Sequence, residues 1–238
     1  MQTDDKYFDG YSEKALIFLD NLKKNNNREW FKSNKIIFDT EIKQKSQLLI
    51  SELQHLFAAE DLPFGADIKK SLFRIYRDMR FGKNKLPYKT NTGLFFPYRA
   101  ESGRYKPVEA TGLYLHIEPK GCFIAGGLYR PLPEQLKGIR KKLSNDWEEF
   151  SEIITEKNFS REFPIRLQDD KLKRVPTGYP KEHPASEYLK LKGYTAFCEL
   201  EDHAICERSL IDIIKTKARA IMPFLDFLHQ GAFVEPYE

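Results

Sequence analysis

Cysteine is scarce in this chain: Cys122, Cys198 and Cys206 are the only three in 238 residues, an odd number with no Cys-x-x-Cys spacing. A disulfide framework is thereby excluded as the basis of the fold, and a reducing compartment is the better match. The opening Met-Gln-Thr-Asp-Asp-Lys lacks the basic-then-apolar order of a secretory leader. No apolar run approaches the ~20 residues of a membrane-spanning helix, so the expectation is a cytoplasmic protein. Low-complexity tracts, internal repeats and flexible linkers are absent as well, which makes one α+β domain over residues 1–238 the simplest organisation. There is no Walker or dinucleotide-binding glycine fingerprint. Cys198-x4-His203-x2-Cys206 has no fourth ligand and falls short of a zinc set. Neither a metal nor a cofactor is expected.

What the chain does contain is rings and a concentrated positive charge. With 41% apolar and 31% charged residues it has the composition of an ordinary globular protein, and its 18 Phe and 12 Tyr predict a core built largely of aromatic side chains. Between Lys69 and Lys106 eleven basic residues face two acids, Asp78 and Glu101, a local charge of +9. The whole chain carries only +4, so the remainder is net acidic, at −5. Within this region, residues 74–89 hold Arg74, Arg77, Arg80, Lys83, Lys85 and Lys89 against Asp78 alone. Cations packed this closely repel one another, and internal acids, solvent or an anionic ligand must offset that cost.

The hydrophobic pattern sets the architecture. Ala15, Leu16, Leu19 and Leu22 predict a helix from Ser12 to about Lys24, and Asn25-Asn26-Asn27 breaks it as a helix–turn–helix joint. A second apolar stripe from Trp30 to Phe57 predicts a helix of about 45 Å, with a break near Ser33-Asn34. Together these form a helical hairpin over 12–60. A sheet core follows over 66–130. Ser71 to Phe81 alternates, with Phe73, Ile75, Arg77, Met79 and Phe81 on one face and Arg74, Tyr76, Asp78 and Arg80 on the other. Leu94 to Tyr98 is a short strand, and Gly112 to Ile117 pairs with Cys122 to Tyr129 through the turn Glu118–Gly121. Residues 131–238 supply helices and short strands: a helix opened by Arg130-Pro131-Leu132-Pro133, strands near Phe163–Leu167 and Leu172–Val175, a short helix after Pro184, and a strand from Tyr194 to Leu200. A closing helix from about Ala204 to Ile221 is bent or restarted at Pro223. Clustered strands without regular strand–helix alternation argue for a mainly antiparallel or mixed sheet, with the N-terminal hairpin and the C-terminal helices packed on it.

Several spaced motifs carry a resemblance: Asn26-Asn27-Arg28-Glu29-Trp30-Phe31, Arg74-x-Tyr76-Arg77-Asp78-x-Arg80-Phe81, Lys85-x-Pro87-Tyr88-Lys89-Thr90, Gly126-Gly127-Leu128-Tyr129-Arg130-Pro131, Arg174-x-Pro176-x-Gly178-Tyr179-Pro180-x-x-His183-Pro184 and Leu189-x-Leu191-Lys192. Over nearly its full length the chain resembles the family of bacterial and fungal proteins called domain of unknown function 2461. The resemblance implies a shared α+β fold and brings no activity, substrate or cofactor with it. Where that family often has Asp and Thr, this chain has Asn84 and Leu86.

Three readings of the basic region follow. In the first, Arg74, Arg77, Arg80, Lys85, Lys89 and Arg130 bind a phosphate-bearing ligand, a nucleotide or a nucleic acid, because guanidinium forks and lysines match oxyanions. Tyr76 and Tyr88 would stack or hydrogen-bond, and Gly127 would expose backbone N–H groups next to a helix N-terminus. In the second, the protein is an enzyme on a small phosphorylated or carboxylated substrate, with Asp78 or His183 as acid–base and one pocket joining the arginine strand, Gly127 and the His183 loop. In the third, the charges serve a protein-interaction surface or a purely structural ion network. Glu118-x-Lys120, with Asp78, imitates a metal nuclease only weakly, because Pro119 places it in a tight turn.

Overall fold

The computed structural model describes residues 7–78, 85–99, 107–164 and 170–233. The fold is α+β, with a four-stranded antiparallel sheet in the order β1-β2-β3-β4. The strands are β1 Thr92–Pro97, β2 Gly112–Ile117, β3 Cys122–Leu128 and β4 Tyr194–Leu200. The described residues group into two compact units. The first draws on Met1–Phe96, Tyr114–Ile124 and Glu199–Thr216, the second on Pro97–Leu113, Ala125–Cys198 and Lys217–Glu238. The boundaries fall within strands and within the last helix, so neither unit is a simple stretch of sequence.

In the first unit, α1 (Glu13–Lys24) begins after Ser12 as the pattern predicts. Ser12 does not cap with its hydroxyl, which donates to Glu41 instead. The second helix is continuous: α2 (Arg28–Ile37) leads through a π-helical stretch (Phe38–Gln44) into α3 (Lys45–Ala59). The expected break at Ser33-Asn34 is absent, and the irregularity comes a turn later. There the Thr40 hydroxyl donates to the Ile36 carbonyl at 3.0 Å, the oxygen that the Thr40 N–H would use in an α-helix. Such back-bonding competes with the regular ladder and favours a widened turn. Ser46 sits on the buried face of this helix because Tyr11 Oη satisfies it at 2.9 Å. Phe57 of α3 packs edge-on against Phe96 of β1, 5.7 Å between centroids, which fixes the hairpin on the sheet.

In the second unit, α4 (Pro133–Asn145), α5 (Trp147–Thr155), α6 (Lys157–Glu162) and α7 (Ser186–Leu189) precede β4. Proline opens α4 at its first turn, where a missing N–H costs nothing. The strand expected at Leu172–Val175 is not formed. A single antiparallel bridge, Lys171–Leu191, stands in its place, and Val175 runs directly into Pro176, which cannot donate to a ladder. Of the strand expected at Phe163–Leu167, the last three residues lie outside the described residues. After β4 come the short α8 (Asp202–Ile205) and α9 (Leu210–Ala232). The last helix starts later than its pattern predicts and does not restart at Pro223, which lies inside it. Proline in a helix interior costs about 3 kcal/mol. Ile221, Phe224, Leu225, Phe227 and Leu228 are all buried around it, at about 1.5–3 kcal/mol each, so packing outweighs the lost bond.

Candidate functional site

Residues 71–78 run extended against residues 87–95, but not as a regular strand. They pair through two isolated antiparallel bridges, Leu72–Leu94 and Tyr76–Tyr88. Between the bridges one side advances four residues and the other six, so a continuous ladder is geometrically excluded, as at a bulge. The backbone bonds Phe73 N–H to Gly93 O (2.9 Å) and Lys89 N–H to Ile75 O (2.8 Å) hold the two segments together. The predicted alternation holds for the described part. Ile75 is buried with Phe73 and Arg77 half-buried on its side, whereas Arg74, Tyr76 and Asp78 are exposed. Arg80 lies outside the described residues, as does Asn84.

This pairing brings Lys89 against the arginines. Its ammonium lies 5.4 Å from the centroid of the Phe73 ring. Burial, and then the guanidiniums of Arg74 and Arg77, push its pKa below the usual lysine value. The Nε of Arg77 is buried without a hydrogen-bond partner. Among the described residues, no carboxylate pairs with Arg74, Arg77 or Lys89. Asp78 and Lys85 are exposed, and each is engaged in an interaction of its own.

Tyr88 corrects the expectation. It is only 5% exposed, stacked on Phe31 with centroids 4.1 Å apart and planes 13° from parallel, so it is not a platform for a base. Tyr76, 56% exposed and 5.4 Å from Tyr88, is the ring that faces solvent here. The asparagine triplet explains how Tyr88 is fixed. Asn25 ends α1, and Asn27 caps α2 by accepting from Trp30 N–H at 2.9 Å. Asn26 reaches across to the Tyr88 backbone, donating to its carbonyl (3.0 Å) and accepting from its N–H (3.1 Å). A side-chain amide thus mimics a strand partner, a role that the sequence reading assigned only to a turn.

The remaining predicted residues belong to the second unit. Gly126 and Gly127 are among the last three residues of β3. A Cβ on Gly126 would meet the Ile221 side chain, and one on Gly127 (φ 139°) would collide with the Tyr194 carbonyl, so close packing explains both glycines. The N–H groups of Arg130 and Leu132 are taken by Val108 O and Gln135 Oε1. The Arg130 guanidinium lies over the exposed Tyr129 ring. His183 accepts from Ala185 N–H at Nδ1 (3.0 Å) and donates from Nε2 to Ser144 O (3.1 Å). With both nitrogens occupied, it ties its proline-rich loop to α4, and no lone pair is left for a substrate.

A polar cluster in the first unit escaped the sequence reading. Tyr114 Oη and Asn91 Nδ2 both approach His116 Nδ1, at 3.0 and 3.2 Å. On the far side His116 Nε2 faces Glu118 Oε2 at 3.3 Å. The imidazole stacks on Phe123 of β3, centroids 4.5 Å apart and 12° from parallel. Burial lowers the His116 pKa despite Glu118, and raises that of Tyr114 to about 12. The signal was present as the alternation Leu113-Tyr114-Leu115-His116-Ile117-Glu118, which buries the aliphatic residues and turns the other three to one face.

Among the described residues no group of three His, Cys, Asp or Glu is arranged to hold a metal, and no helix is long and apolar enough to cross a membrane. Comparison with curated proteins and with solved structures gives no match. A family model described as "conserved hypothetical protein (DUF2461)" matches residues 14–227, most of the chain including the basic segment and the polar cluster, and the chain belongs to that family.

Proposed function

We propose that the first unit binds a phosphate-bearing anion through Lys89 and Arg77, which share the Phe73 face of the segment, with the Arg74 guanidinium within electrostatic reach of the same ammonium. The observation that carries this reading is the half-buried Lys89 ammonium, set against two guanidiniums with no carboxylate partner among the described residues. An arrangement of like charges raises the energy of the empty protein, and an oxyanion bound among them recovers that energy through charge-assisted hydrogen bonds. The second unit contributes nothing to this reading: Gly127 is accounted for by packing and His183 by its two hydrogen bonds. All three cysteines are free, which accords with a reducing, cytoplasmic setting.

A thermal-shift panel of inorganic phosphate, sugar phosphates, nucleotides and short oligonucleotides is the test, since a ligand bound only by the folded state raises the melting temperature. Small phosphates should stabilise the protein, and Arg74→Ala should abolish the effect. If oligonucleotides are the preferred ligand, the logarithm of the affinity will fall with the logarithm of salt concentration by about 0.7 per phosphate contacted on a single strand. A panel with no response in any class would overturn the reading.

A further inference from the structure

The Glu118–His116–Tyr114 cluster is ordered as a proton relay. Glu118 accepts from His116 Nε2–H, which leaves the Nδ1 lone pair to receive the Tyr114 hydroxyl, and the Asn91 amide supports the same nitrogen. The carboxylate sets the tautomer and would stabilise an imidazolium, the logic by which an acid–base histidine is oriented. Among the described residues, the Phe123 ring on β3 also lies against the imidazole, and beyond Glu118 comes Lys23 on α1, 3.7 Å from that carboxylate. Gly93 keeps space for the phenol, because a Cβ there would lie 2.5 Å from Tyr114 Oη. The cluster also borders the cations. The Phe73 ring lies 5.8 Å from the Tyr114 ring and carries the Lys89 ammonium 5.4 Å from its centroid. One aromatic ring therefore separates the proton-accepting chain from the positive charge, and Tyr114 and His116 are both only partly buried.

We infer that Tyr114, backed by His116 and Glu118, is the proton-exchanging group of the anion site, acting on a phosphate-bearing hydroxy compound such as a sugar phosphate; this rests on the reading of Arg74, Arg77 and Lys89 as the phosphate site. In the step it performs, the substrate hydroxyl proton passes to Tyr114 Oη while the phenolic proton moves to His116 Nδ1. The O–H bond of the substrate breaks, an N–H bond forms at His116, and the tyrosine ends as it began. Glu118 offsets part of the cost that burial sets on the imidazolium, and the alkoxide left on the substrate faces the cationic cluster. No oxidant, metal or cofactor is needed for the balance, and the reverse step returns the proton. Tyr114 is the catalytic residue; His116 and Glu118 act through it.

The test uses the full chain with labelled histidine and tyrosine, followed by NMR during titration with ribose 5-phosphate and, separately, inorganic phosphate. Both ligands should saturate. Only the sugar phosphate should move the Tyr114 ring and His116 nitrogen resonances, and its affinity should change with pH across the His116 titration. His116→Gln should erase the part of that pH dependence that inorganic phosphate does not share, since a phosphate group ionises by itself at a pKa of about 6, a result that a purely structural histidine would not give. If that variant fails to fold, the wild-type resonances still decide. Binding of ribose 5-phosphate with the Tyr114 and His116 signals unmoved would overturn the relay and leave the anion site standing. Binding of neither ligand would overturn the anion site and the relay with it.

Discussion

Two lysines drawn out of water, one in each unit, are treated in opposite ways. Lys217 on α9 is 9% exposed and meets Glu162 at 2.8 Å, the Glu162 carbonyl at 2.9 Å and Cys198 Sγ at 3.1 Å. Lys89 is given two arginines and a phenylalanine ring. A lysine kept for the fold comes with its counter-charge, because a desolvated ammonium is costly unless paired. One held among like charges is the arrangement that the anion proposed above would neutralise. That contrast separates a structural ion network from a binding site more sharply than a count of basic residues does.

The comparison can be broken at its structural end first. Glu162→Gln leaves Lys217 buried without its anion and should destabilise the protein by about 3 kcal/mol, read as a lower urea midpoint. Asn26→Ala removes both hydrogen bonds to the Tyr88 backbone and should cost about 1–3 kcal/mol, together with a loss of phosphate affinity as the Lys89 segment loosens. At the other end, Lys89→Met should leave the urea midpoint equal to or above that of the wild type, since it removes a repelled charge. Calorimetric titration of the same variant should show phosphate affinity lowered by about tenfold or more, one charge-assisted contact being worth about 1.5–3 kcal/mol. A Lys89→Met protein that unfolds as readily as Glu162→Gln would erase the distinction between the two lysines.

Acid offers a finer probe. The Lys217 hydrogen bond, with a smaller contribution from Arg161, holds the Glu162 carboxyl below the usual carboxylate range. A group whose folded pKa is depressed adds stability that is fully present above its unfolded pKa and is lost as pH falls through the folded one. Wild-type stability should therefore fall on acidification below the ordinary carboxylate range, and Glu162→Gln should fall less steeply. Parallel pH profiles for the two proteins, measured by urea unfolding, would show that the pair contributes nothing. The smallest effect expected is that of Tyr76→Ala. The ring is largely exposed and lies on the face opposite Lys89, so stability should change by no more than about 0.5 kcal/mol, and the affinity for inorganic phosphate should not change.

Much of the fold was legible because period and punctuation agree. The alternation in Gly112–Ile117, Cys122–Leu128 and Tyr194–Leu200, with a glycine turn between the first two, fixed three strands almost to the residue. Where long-range packing decides, the sequence misled. Pro223 stops a helix only if burial does not outweigh it, and Ser33-Asn34 broke nothing although their side chains bond back to the Glu29 and Trp30 carbonyls, because the same turn buries Phe31. At the site, the exposed face of Arg74 and Tyr76 could be read from alternation. The burial of Tyr88 could not, because it depends on Asn26 of the α1–α2 joint and Phe31 of α2, some sixty residues earlier. Gly127 and His183 looked functional for a similar reason: the partners that occupy them, Tyr194 and Ser144, are remote in sequence.

The most direct test of the account is calorimetric titration of the wild type and of an Arg74→Ala/Lys89→Met double variant with ribose 5-phosphate. The account predicts saturable one-site binding that weakens with added salt in the wild type, and no measurable binding in a variant whose melting temperature is unchanged or raised. Equal binding by both proteins, or none by the wild type, would contradict it.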